Sequence, residues 1–81
     1  MFTIYSKPNC PFCNKFKRVV ELEDLPHIVY ELGVDFTREE FYNKFGSGST
    51  FPQILLDDLK LGGCQESLRH MQKENICCNV L

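Results

Sequence analysis

No apolar run in the sequence exceeds a few residues, whereas a bilayer-spanning helix needs about 20. A transmembrane helix is excluded. The chain enters a strand-like stretch directly, without the charged start and apolar segment of a secretory signal. Basic runs and long acidic tails are missing too, and with a net charge of −2 and a pI near 5.6 nothing points to nucleic acid. Repeats and low-complexity segments are absent, and Gly46-Ser47-Gly48-Ser49 is too short to link two domains. The 81 residues are therefore expected to form one domain, residues 1–81. Its hydrophobic fraction of 43% is ordinary for a globular protein, although so short a chain buries a modest core and is marginally stable. The five cysteines are an odd number without an export signal, which argues against a secreted disulfide scaffold. A soluble, cytoplasmic protein in a reducing compartment is the expectation.

What the sequence does have is Cys10-Pro11-Phe12-Cys13, two thiols three positions apart at the predicted start of a helix. Such a pair can close into a disulfide and reopen. Cys10 would lie where unpaired N–H groups and the positive end of the helix dipole favour a thiolate, which makes it the candidate nucleophile. Cys13, one turn further in and more covered, is the candidate resolving thiol. Pro11 suits the first helical position, where its missing N–H costs nothing and its fixed φ pre-forms the turn. The same spacing also forms half of a zinc site, but such a site needs four ligands, usually from a second similarly spaced pair. Cys64 is alone, Cys77 and Cys78 are adjacent, and His27 and His70 are far apart in sequence, so no metal is expected.

In chain order, Phe2 to Tyr5 reads as a strand stopped by Ser6-Lys7-Pro8-Asn9. Cys13, Phe16, Val19 and Val20 then recur at helical spacing, and the helix ends before Pro26. Lys15, Lys17 and Arg18 lie on its other faces, ordinarily a solvated surface, although next to a reactive thiol such charges can attract anionic substrates. His27 to Leu32 is a second strand, joined to the first by a parallel, right-handed crossover, with His27 at an edge or on the surface. Thr37 and Glu40 make a capping box flanked by Phe36 and Phe41, which predicts a helix from about Arg38 to the stop at Gly46, with Phe41 and Phe45 as its buried stripe. Thr50-Phe51-Pro52 leads into a third strand, Gln53 to Leu56, and Pro52 is a candidate for a cis peptide. Asp57-Asp58 turns into Leu59-Lys60-Leu61 as an antiparallel hairpin, with Asp58 in a left-handed conformation. Gly62-Gly63 opens a last helix that carries Leu68 and Met71 inward and fades near Asn75. Its first N–H groups are either an anion site or simply a strand-helix turn.

The order β-α-β-α-β-β-α makes this an α/β chain, and at this point it resembles the glutaredoxins along nearly its whole length. Tyr5-Ser6-Lys7-Pro8-Asn9-Cys10-Pro11-Phe12-Cys13 is close to the family's Y-[ST]-K-x-x-C-P-Y-C, Thr50-Phe51-Pro52-Gln53 to T-V-P-Q, and Gly62-Gly63-Cys64-Gln65-Glu66 to G-G-C-x-D. The resemblance implies a thioredoxin-like fold, a four-stranded mixed sheet flanked by three helices, and glutathione-dependent reduction of protein disulfides and glutathione mixed disulfides. It also implies a cis peptide before Pro52, facing the cysteine pair. Thr50 and Phe51 would pair their backbone with the cysteinyl part of glutathione, which needs no particular side chain at Phe51. Gln65 and Glu66 would hold the γ-glutamyl end, and Lys7, with Arg38 in support, the glycine carboxylate. A monomer acting on disulfide-containing proteins is implied, ribonucleotide reductase being a usual client of the family.

Three departures from the pattern bear on this. Phe12 replaces a Tyr and removes a hydroxyl, Glu66 is one methylene longer than the family's Asp, and Cys77 and Cys78 extend beyond the common core as tail or packing residues. Cys64 is expected to be a small helix-start residue. Two rival functions stay open at this level: a redoxin reduced by a flavoprotein thioredoxin reductase, and a non-enzymatic module holding an iron–sulfur cluster or metal through Cys10. Pro11 should stiffen the loop against a cluster.

Overall fold

The computed structural model describes residues 1–76, so Cys77 and Cys78 lie outside the described residues. In chain order the elements are β1 (Phe2–Ser6), α1 (Pro11–Leu22), β2 (His27–Glu31), α2 (Arg38–Phe45), β3 (Gln53–Leu56), β4 (Leu59–Gly62) and α3 (Cys64–Lys73). They build a mixed sheet of four strands in the order β2-β1-β3-β4. β1 runs parallel to β2, with Ile4 opposite Val29, and antiparallel to β3, with Ile4 opposite Ile54. This is the α/β order and the mixed sheet expected above. It also leaves His27 on an edge strand, where its Nδ1 donates to the Leu25 carbonyl at 2.7 Å.

Alternation along β1 assigns each residue to one of two differently built faces. Phe2 and Ile4 point to α1 and α3, joining Phe16, Val19, Val20, Ile54, Leu68 and Met71 in a core where aliphatic side chains surround one edge-to-face pair, Phe2 and Phe16. Tyr5 points the other way into aromatics, with Tyr30, Phe36 and Phe45 at 5.3, 5.2 and 5.0 Å from its ring, and the Lys44 ammonium lies over it at 5.9 Å. α2 covers that second face, and Phe41 is its one buried residue. Phe45 was expected to share the buried stripe; it is only half-buried, because it sits in the last turn, at the rim of the aromatic layer.

Two local expectations shift by one residue. β2 stops at Glu31, before Leu32, because the Asp35 carboxylate takes the Glu31 N–H at 2.8 Å and Gly33, at φ +86°, turns the chain; the Leu32 N–H still donates to the Ser6 carbonyl at 2.9 Å, and Leu32 forms an isolated bridge with Phe36. In the β3–β4 turn the left-handed residue is Asp57, at φ 53°, instead of Asp58. There Asp57 also ties down the chain start, its carboxylate accepting from the Met1 ammonium at 2.8 Å.

α2 has eight residues, too few to persist alone, so its cap matters. Thr37 Oγ1 accepts from the Glu40 N–H at 3.1 Å, and Glu40 Oε1 accepts from the Thr37 N–H at 2.8 Å, completing the predicted capping box. Thr37→Ala is expected to destabilise the protein by about 1 kcal/mol, a fall in Tm of roughly 4–8 °C for a domain of this size. Thermal unfolding followed by circular dichroism measures it, and an unchanged Tm would mean that α2 is held by packing alone.

Candidate active site

The β1–α1 loop delivers the thiols. Asn9 takes a left-handed conformation (φ 55°), which Asn tolerates better than most residues, and turns the chain into the helix. Cys10 follows as N-cap, with extended backbone, and Pro11 occupies the first turn. The Cys10 sulfur accepts from the Cys13 N–H at 3.2 Å, so the side chain that caps α1 is itself the candidate nucleophile. The two cysteines form a disulfide across a Cα–Cα distance of 5.2 Å. Cys10 is 4% exposed and Cys13 not at all, so both are buried in the disulfide and Cys13 is the more covered of the two.

Beside them opens a groove of about 180 Å³, in which Phe12, Thr50, Phe51 and Pro52 face Gly63 and Cys64–Glu66 across the start of α3. The Phe51–Pro52 peptide is cis. Gln53 Nε2 donates to the Thr50 carbonyl at 2.9 Å and braces this segment from below. Gln53 had no role in the sequence reading, although it closes the Thr-Phe-Pro-Gln stretch that carried the resemblance. Phe51 lies flat on Phe41, with ring centroids 4.0 Å apart and planes 10° from parallel. Its side chain therefore anchors the segment, where the sequence asked nothing of it.

Gly62 (φ +100°) and Gly63 make the turn into α3, and Gly63 caps the helix without a side-chain bond. Glu66 folds back over both: a Cβ added at Gly63 would stand 3.3 Å from Glu66 Oε1, and one at Gly62 3.4 Å from Oε2. Bare helix N–H groups and a carboxylate thus share one end of the groove. Cys64 is a free, buried thiol; burial pushes its pKa up, the Glu66 charge adds to this, and Lys15 works against it. It is a packing residue, as expected at a helix start.

Two predicted residues stand apart from this groove. Lys7 does not line it, but its Nζ sits 5.5 Å from the centre of the Phe51 ring, on the edge of the same segment. Arg38, the exposed first residue of α2, is not brought to the groove. Among the described residues, no three His, Cys, Asp or Glu side chains are grouped to hold a metal ion.

The sequence model of the glutaredoxin family matches residues 2–59, spanning the cysteine pair, the aromatic face and the Thr50–Gln53 segment. The chain belongs to the glutaredoxin family. It is similar to glutaredoxin 1 of Rickettsia felis, 35% identical over 74 residues that cover 88% of this chain and 71% of the relative. It is also similar to glutaredoxin 3 of Escherichia coli, 33% identical over 66 residues, 78% of this chain and 76% of the relative. Among solved structures, glutaredoxin 1 from Francisella tularensis, crystallised with cacodylate, superposes with a TM-score of 0.76 at 26% identity, over 93% of this chain and 94% of that one. A buckwheat glutaredoxin–glutathione complex shares the fold, with a TM-score of 0.73 at 17% identity, over 93% and 71% of the two chains. Glutaredoxins are thiol–disulfide oxidoreductases, and in this one the Cys10–Cys13 pair at the head of α1 is the active site.

Proposed function

We propose that this glutaredoxin takes its electrons from glutathione and reduces both protein disulfides and glutathione mixed disulfides, with Cys10 as nucleophile and Cys13 as resolving thiol. The Cys10 thiolate attacks one sulfur of a protein disulfide, and the departing sulfur takes up a proton. Cys13 then attacks Cys10 and frees the second thiol, leaving the Cys10–Cys13 disulfide. Two glutathiones restore the dithiol and leave as their own disulfide. On a glutathione mixed disulfide Cys10 alone suffices, because the glutathionyl group it acquires is removed by a second glutathione.

The observation that carries this reading is the groove joining the Thr50–Pro52 segment to the uncapped start of α3 next to Phe12. Glutathione has a carboxylate at either end and an ammonium at one. Thr50 and Phe51 offer backbone to its cysteinyl part. The first N–H groups of α3, with Gln65, suit the γ-glutamyl carboxylate, and Glu66 suits the ammonium. Lys7, over Phe51, is the cation for the glycine carboxylate. Arg38 contributes only long-range charge. The clients we assign are cytoplasmic protein disulfides; no feature of the groove selects ribonucleotide reductase among them.

Lys7→Ala and Glu66→Ala are each expected to raise KM for glutathione several-fold, about 1 kcal/mol per charged contact, with little change at saturating glutathione. Arg38→Ala should change it by less than about twofold, as an exposed charge acting at a distance does. Steady-state assays with glutathione varied decide this. An unchanged KM in both Lys7→Ala and Glu66→Ala, or equal turnover with thioredoxin reductase, would replace glutathione by a flavoprotein donor.

A further inference from the structure

A second, larger groove of about 400 Å³ runs along the solvent face of α1, lined by Pro11, Asn14, Lys15, Lys17, Arg18 and Glu21. It starts at Pro11, the residue that follows Cys10. Three cations line it against one anion, on a chain whose net charge is −2. Among the described residues the one ion pair is that of the Met1 ammonium with Asp57, and none of the three cations is in a salt bridge. Lys15 and Arg18 are exposed and Lys17 is half-buried, all three away from the face that α1 buries through Cys13, Phe16, Val19 and Val20.

We infer that this face docks the client protein, and that it selects disulfides followed by acidic residues. The groove is open and its charges are spread along the helix, which does not suit a compact anion that needs converging donors. An extended polypeptide leaving the target sulfur suits it. Lys15 to Arg18 lie roughly 6–11 Å along the axis from Pro11, at about 1.5 Å per helical residue. An extended chain covers that in about two to four residues, at 3.3 Å each. The acidic side chains therefore belong two to four positions from the attacked cysteine. Glu21 closes the far end by repelling a longer acidic stretch. The reaction is the established one: the Cys10–Cys13 dithiol gives two electrons and two protons to the peptide disulfide and becomes a disulfide itself. The inference is independent of the electron donor.

The test uses the whole chain, reduced with dithiothreitol and freed of it, in single turnovers with two disulfide-cyclised peptides. One carries Asp and Glu two to four residues beyond a cysteine, the other Lys at the same places; glutathione is absent, so a failure here does not touch the glutathione reading. At low salt the acidic peptide is expected to react about tenfold faster, within the range electrostatic steering gives, and the ratio to approach one near 0.5 M salt, where charges are screened beyond a few ångströms. Combined Lys15→Glu, Lys17→Glu and Arg18→Glu should invert the ratio. Taking the ratio removes any change in the thiol itself, and reduction of uncharged hydroxyethyl disulfide checks that the variant is folded. Should the triple variant not fold, Arg18→Gln alone must still lower the ratio. Equal rates for the two peptides in the native protein at low salt, or a ratio unmoved by the substitutions, would overturn the inference.

Discussion

Cys10→Ser is expected to abolish all disulfide exchange, by more than about a thousandfold, whereas Cys13→Ser keeps reduction of glutathione mixed disulfides and loses that of protein disulfides. The asymmetry follows from where α1 begins. Only the Cys10 sulfur occupies the cap, with a backbone N–H 3.2 Å away and the positive end of the helix dipole behind it. Ser fits the cap as well as Cys does, so Cys10→Ser should fold normally and separate chemistry from stability. Cys13 is fully buried and reaches no external substrate, yet its Cα lies 5.2 Å from that of Cys10, close enough to attack a mixed disulfide held there. Turnover with a glutathionylated peptide and with a protein disulfide, measured on both variants, separates the two roles. Equal loss in both variants on the glutathionylated substrate would mean that a protein dithiol is needed at every step.

What could be read from the chain divides by distance along it. The capping box of Thr37 and Glu40 and the placing of Cys10 at the start of α1 are each written within four residues, and both stand as expected; the bond from the Cys13 N–H to the Cys10 sulfur is added by the structure. Local signals failed where two neighbours compete for one conformation, as when Asp57 takes the left-handed position that Asp58 was expected to hold. From residue spacing the groove was legible only as separate pieces, Thr50-Phe51-Pro52 and Gly62-Gly63-Cys64-Gln65-Glu66, and only the family resemblance joined them, because no spacing rule says that two segments ten residues apart will face each other. The sheet order does, by laying β3 against β1 and turning β4 back into α3. Least legible was the aromatic face. Tyr5, Tyr30, Phe36, Phe41, Phe45 and Phe51 come from five separate stretches; the spacing of Phe36, Phe41 and Phe45 marked one helix face, but nothing local joined it to Tyr5, Tyr30 and Phe51 until the sheet collected them.

That face yields the largest expected effect on stability. Phe41→Ala removes the one buried residue of α2, which touches Phe36, Phe45 and Phe51 at ring separations of 5.8, 5.1 and 4.0 Å. Large-to-small changes at such a site cost about 3–5 kcal/mol, while a domain of this size is stable by roughly 4–12 kcal/mol. Tm should therefore fall by more than about 12 °C. Phe45→Ala, half-buried at the rim, should cost much less, and Phe41→Leu less than about 2 kcal/mol because most of the volume remains. The site should report the same loss. Phe41 is the surface on which Phe51 rests, and Phe51 is joined to the cis peptide that walls the groove. Below its lowered Tm the Phe41→Ala protein is thus expected to bind glutathione more weakly, with a raised KM, while the Cys10 thiol reacts with a small alkylating agent at its native rate. If the KM stays native in folded Phe41→Ala, the Thr50–Pro52 segment is held by Gln53 and the sheet alone, and the aromatic face serves stability without setting the site.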